Sequence, residues 1–195
     1  RAPAAGIVVR LKVEDAADNT HTVETEATTT VANAWETLTF NFANQATGTA
    51  ALNLAFTYNK ASVFFAFGTT GAAGGAGTYY FDELNFVAGG GGGGGGGTVA
   101  GLPIDFDTAG VTYTLTGFGG AEDATVAAGV AGANGSVARV VKSATAELWA
   151  GTTLSTGANA SLPTIPFTAT ARSMTLRVRA PAAGIVVRLK VEDAA

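Results

Sequence analysis

The first seventeen residues of this chain, Arg1 to Ala17 (RAPAAGIVVRLKVEDAA), recur unchanged as its last seventeen, Arg179 to Ala195. Nine consecutive glycines, Gly89 to Gly97, lie between the two copies. A segment supplied twice to a domain with one place for it restricts the chain more than its composition does. Before the glycines, TYYFDELNFVA reads as a closing strand; after them, TVAGLPIDFD reads as an opening one. The chain 1–195 is thus one domain whose natural order is 98–195 followed by 18–88. Residues 89–97 form a linker, and 1–17 and 179–195 duplicate one strand segment. Two histories fit. One is a circular permutant whose old termini the glycines bridge. The other is a window from a tandem array with a period of 178 residues (179 − 1). The unbroken glycine run favours deliberate permutation, since nine extended residues reach about 30 Å.

Short runs of alternating polarity fill the rest. They are Leu102–Asp107, Val111–Phe118, Ser136–Lys142, Leu148–Leu154, Met174–Arg179 and the IVVRLKVE segment, then His21–Val31, Trp35–Phe42, Leu52–Tyr58, Val63–Phe67 and Tyr79–Val87. Glycine or proline separates most of them. With 47% hydrophobic and only 13% charged residues, dominated by Thr, Ala, Gly and Val, the chain reads as all-β. The expected architecture is an antiparallel two-sheet β-sandwich, a circularly permuted jelly roll.

A net charge of −4 offers no electrostatic case for nucleic acid. No apolar stretch is long enough to span a membrane as a helix. Zero cysteines exclude disulfides and thiolate metal sites, and fit a secreted bacterial protein. The single histidine, His21, sits among threonines, and no nucleophile–base set is visible. Glu24 and Glu26 fall on one side of a strand about 7 Å apart, a glycosidase-like spacing. An alternating Thr/Glu strand is more often a solvated face, so the expectation is a non-enzyme.

Alternation also assigns faces. Met174, Leu176 and Val178 point in, whereas Thr175, Arg177 and Arg179 point out. Val9, Leu11 and Val13 point in, and Arg10, Lys12 and Glu14 point out, as do their duplicates Arg188 and Lys190. The hairpin turn expected at Pro181–Gly184 places these charges on one polar face. That face is either a solvated sheet surface with cross-strand ion pairs or a shallow ligand platform.

The strands Trp35–Phe42 (WETLTFNF) and Tyr79–Phe86 (YYFDELNF), the opening Phe106-Asp107, and LPIDFD, VTYTLTGFGG, SVARVVK and LWAG resemble a family of carbohydrate-binding modules. These are jelly-roll modules of the family-4-like, galactose-binding-like group, attached to marine bacterial laminarinase- or agarase-type glycoside hydrolases. The resemblance implies non-catalytic binding of a polysaccharide, a β-glucan or algal glycan, and often a structural calcium. Trp149 and Trp35 are the candidates for stacking on sugar rings. Arg177 stands where related modules carry an aromatic residue, which keeps an anionic polysaccharide open. Alternation with Leu84 and Phe86 turns the Asp82 carboxylate toward the core, where a hard cation offsets its burial. By resemblance, that calcium sits between the closing and opening segments, pairing Asp82 with Asp107. The turn Glu122-Asp123 is a weaker ligand candidate.

The duplicated strand supplies two competitors for one slot. The displaced copy is expected to fray or to enter a neighbour, giving a homo-oligomer by strand exchange. The alternative function is accordingly a structural or assembly module, such as a strand-exchanging building block or an adhesin repeat.

Overall fold

The computed structural model describes residues 20–88 and 100–193. It is almost entirely β, as the alternation predicts. In chain order the strands are β1 (Thr22–Thr28), β2 (Trp35–Asn41), β3 (Lys60–Phe65), β4 (Gly77–Val87), β5 (Thr114–Phe118), β6 (Asp123–Ala127), β7 (Val137–Lys142), β8 (Gly151–Ser155), β9 (Ser173–Arg179) and β10 (Val186–Glu192). They form two five-stranded antiparallel sheets, a jelly-roll-like sandwich. The first runs β1-β10-β3-β8-β5 and the second β2-β9-β4-β7-β6.

The inward positions are those that alternation selects. Leu38 and Phe40 of β2, Met174, Leu176 and Val178 of β9, and Val187, Leu189 and Val191 of β10 are all buried. Aromatic rings fill the interlayer: Phe65 stacks on Tyr79 at 4.6 Å, and Phe81 meets Phe106 edge-on at 5.7 Å. Burying each such ring contributes about 1.5–3 kcal/mol.

Several segments depart from the expected strand set. Leu52–Tyr58 is loop without a ladder partner: Leu54 is exposed, while Leu52, Phe56 and Tyr58 pack on the core, and the Tyr58 hydroxyl accepts the Asn53 N–H at 3.1 Å. Leu102–Asp107 makes one bridge, Ile104 to Leu84, rather than a strand. Asp123–Ala127 pairs with β7 as edge strand β6, although only its acidic turn stands out in sequence.

The Pro181–Gly184 turn is not a hairpin. It carries the chain from β9 in the second sheet to β10 in the first. The β1–β2 connection makes the reverse crossing beside it. Thr29 accepts the Gly184 N–H at 2.6 Å and Asn33 donates to Ala180 O at 2.7 Å, which ties the two arches together. Gly184, at φ 75°, takes the left-handed conformation that this arch requires.

β10 lies inside the first sheet, in register between β1 and β3. The C-terminal copy of the duplicated segment therefore fills the slot. Residues 1–17 lie outside the described residues, and with them Arg10, Lys12 and Glu14; the glycine run does too.

Candidate functional site

The crossing arch divides the expected polar face in two. Arg177 and Arg179 lie on the outer face of the second sheet, on β9. Arg188, Lys190 and Glu192 lie on the outer face of the first, on β10. Alternation identifies which residues of a strand share a side, but not which sheet the next strand joins.

The outer face of the first sheet is not a solvated charge platform. Arg188 is fully buried, and Lys190 and Glu192 nearly so. Arg188 Nη1 donates to Glu24 at 2.9 Å and Nη2 to Glu26 at 2.5 Å. The two glutamates of glycosidase-like spacing are thus bridged by one guanidinium. The Arg188 guanidinium also lies 5.3 Å from the Phe67 ring centre. Lys190 and Lys60 both pair with Glu192. A small second hydrophobic cluster of Phe64, Phe67 and Val186, with Phe118 against it, covers part of this face.

Trp149 extends that cluster outward. Its ring lies nearly parallel to Phe118, 6.2 Å away at 16°, and Phe118 meets Phe64 at 5.2 Å. Trp149 is nevertheless 46% exposed, as is its neighbour Leu148 at 44%. Two chain segments hold it there. The loop carrying it donates from Glu147 N to Gly119 O at 2.8 Å and from Ser143 N to Gly120 O at 2.8 Å. Gly119 has φ 67°, and a Cβ there would sit 2.7 Å from the indole, so only glycine admits the ring this closely. The parity of Thr114, Thr116 and Phe118 could have marked Phe118 as outward-facing in the sequence.

On the other side of the sandwich, β-sheet register aligns a row across the second sheet. Trp35 opposes Arg179, Arg179 opposes Tyr80, Tyr80 opposes Arg139, and Arg139 opposes Thr125. Trp35 is half-buried. Its indole N–H donates to Ala131 O at 3.0 Å, and the Arg177 guanidinium covers its ring at 4.5 Å. Arg177 Nη2 donates to Gly132 O at 2.7 Å, and its Nη1 faces Asp82 at 3.8 Å and Glu83 at 4.0 Å without a hydrogen bond. Arg177 is thus a tie between strand and loop rather than a free contact residue. The sequence-selected aromatics Trp35 and Trp149 stand on opposite sheets and are not brought together.

Asp82 does not face the core. The β4–β9 register shifts between Asp82 and Asn85, with Glu83 at φ 50°. This bulge exchanges the strand's phase, so Tyr79 and Phe81 point inward before it and Leu84 and Phe86 after it. Asp82 lies on the outer side, opposite Arg177, and is only 3% exposed. Burial pushes its carboxyl up to about 6, against the lowering effect of the Glu83 N–H, which it accepts at 2.8 Å.

Asp82 and Asp107, the expected calcium ligands, each already have partners in the protein. Asp107 spends both carboxylate oxygens on the Ser136 N–H, at 2.9 and 3.2 Å. Asp82 has a guanidinium as its counter-charge. Among the described residues, no three His, Cys, Asp or Glu side chains converge. Calcium chemistry requires six or more oxygens around the ion. Of the weaker pair, Glu122 accepts the Gly120 N–H and Asp123 pairs with Arg139 at 3.4 Å. Asp105, not singled out in sequence, fixes the opening segment: its Oδ1 accepts from Asp107 N, Thr108 N and the Tyr113 hydroxyl, each at 3.1 Å. A cleft of about 550 Å³ beside it is lined by Tyr113, Pro103 and Pro163, and by none of the sequence-selected residues.

His21 stacks on Phe56 at 3.7 Å. Among the described residues, no helix is long and apolar enough to cross a membrane. No protein-family model, curated protein or solved structure matches the chain.

Proposed function

We propose that this sandwich is a non-catalytic polysaccharide-binding module, working outside the cell in its bacterial parent. Trp149 is the sugar-stacking residue. The observation that carries this reading is an indole nearly half exposed yet rigidly backed by Phe118 and by the Gly119 turn. A pyranose ring offers an apolar face of C–H groups, and a preordered indole covers that face with little entropy left to lose. The resemblance to family-4-like modules agrees with it and favours a β-glucan or algal glycan. Affinity electrophoresis in laminarin and agarose gels tests it. Retardation by at least one polymer, reduced roughly tenfold in Trp149→Ala, is the expected result. Equal retardation of the variant, or none of the native protein on a neutral-glycan array, would overturn it.

A second reading, assembly by strand exchange, draws on β10. Its slot is internal to a sheet, and residues 1–17 are chemically identical to the strand that fills it. In sequence, Arg10 of the first copy corresponds to Arg188 of the second. Light scattering before and after deletion of Arg1 to Ala17 tests this reading. A monomer mass in both cases would sink it.

A further inference from the structure

We propose that the outer face of the second sheet is a separate subsite for acidic sugars, with the Arg179 guanidinium gripping a carboxylate or sulfate of the glycan. This inference rests on the polysaccharide-binding reading but not on Trp149.

Three arginines stand on this face, and two are already neutralised. Arg177 faces Asp82 and Glu83, and Arg139 pairs with Asp123. Arg179 has no carboxylate within ion-pair distance among the described residues. Its Nε donates to Asn33 O at 3.0 Å, which fixes the orientation of the head group. The two terminal nitrogens make no hydrogen bond to described residues. Those nitrogens form the fork that binds a planar or tetrahedral oxyanion through two parallel hydrogen bonds.

The surroundings suit a sugar rather than a bare ion. Register places Trp35 on one side of Arg179 and Tyr80 on the other. The guanidinium sits 5.6 Å over the Tyr80 ring, and the two aromatic rings are 6.4 Å apart. Strands are about 4.8 Å apart, so the row from Trp35 to Thr125 crosses about 19 Å of sheet. A glycan lying across the strands meets Trp35, the Arg179 head group and Tyr80 in turn. The sheet ladder sets the backbone spacing, and the Asn33 and Ala131 carbonyls hold the Arg179 and Trp35 side chains, so the spacing exists before the ligand arrives.

The test uses the full chain and three polymers: polygalacturonate, κ-carrageenan and laminarin. The expected result is retention by at least one acidic polymer, weakening steeply with added salt. Retention by polygalacturonate alone assigns the carboxylate as the ligand, and by carrageenan alone the sulfate. Arg179→Gln should lower acidic-polymer affinity at least tenfold. Arg179→Lys keeps the charge but loses the fork, and should recover only part of the affinity. Circular dichroism confirms that each variant folds. Unchanged acidic-polymer binding in Arg179→Gln, or full recovery by Arg179→Lys, overturns the fork. Binding to laminarin with none to either acidic polymer overturns the subsite while leaving the Trp149 reading intact. Binding of acidic peptides equal to that of the polymers makes the face a protein contact and overturns the sugar assignment.

Discussion

Replacing Asp82 by asparagine should make this protein more stable at neutral pH. The carboxyl is nearly fully buried, and its folded value is pushed up from 3.8 to about 6, chiefly by burial. A carboxyl raised in this way favours the fold only while protonated. Its contribution is fully present below the unfolded value and is lost as pH rises through the window from about 4 to about 6. Raising the carboxyl from 3.8 to about 6 corresponds, at 1.36 kcal/mol per pH decade, to about 3 kcal/mol lost by pH 7. This figure already includes the attraction of Arg177, which lies too far away, at 3.8 Å, to offset the burial. Asparagine keeps the acceptor for the Glu83 N–H and carries no charge. Urea denaturation of both proteins at about pH 4 and about pH 7 measures the effect. Asp82→Asn should gain up to about 3 kcal/mol at the higher pH and almost nothing at the lower. For a chain of this size that gain raises Tm by about 6–12 °C. A loss at pH 7, or a difference that does not change with pH, would refute the assignment of Asp82 as a burial-strained group. Repeating the measurement with calcium and with chelator separates the remaining explanation. A calcium-dependent rise in native stability that Asp82→Asn abolishes would restore the cation that the donor geometry argues against.

Further outcomes rest on other sites. Lys142 is buried at the sandwich end, its ammonium donating to Ala66 O at 2.8 Å and Phe65 O at 3.3 Å, and burial lowers it to about 8. Native stability relative to Lys142→Met should therefore rise as pH climbs from about 8 to about 10.5, measured by paired denaturant titrations. Phe81→Ala removes a ring packed against Phe65 and Phe106 and should cost about 3–5 kcal/mol in the same assay. Gly132 has φ 76°, and a Cβ there would sit 3.0 Å from Trp35. Gly132→Ala should cost about 1 kcal/mol or more and shift the tryptophan emission as the indole loses the Ala131 bond.

Much of the sandwich is legible in the residues alone. The period of two in WETLTFNF and SMTLRVR assigns the core positions of β2 and β9 correctly, because successive Cβ atoms must alternate across a pleated strand. The same rule misplaces Asp82, since one residue at φ 50° inserts a bulge and reverses the phase of everything beyond it. It also passes over Tyr80, whose parity is readable but whose neighbour Arg179 becomes its partner only by register. The surroundings of the two calcium candidates are likewise set in part by residues distant in sequence. Asp107 lies near enough to Asp82 to help raise its carboxyl, and the Ser136 and Glu83 amides donate to the two carboxylates.

The duplicated segment shows the same division. Its identity at both ends is a property of the chain, and it alone establishes that two strands match one slot. Which face that strand serves depends on the Pro181–Gly184 crossing, set by packing between sheets and by the bonds to Thr29 and Asn33 from a distant part of the chain. Local alternation is a covalent consequence of strand geometry and can be read from neighbours. The separation of Arg188 from Arg179, with one buried between glutamates and the other left open beside Tyr80, arises from contacts between residues far apart in sequence. Only the tertiary structure decides it.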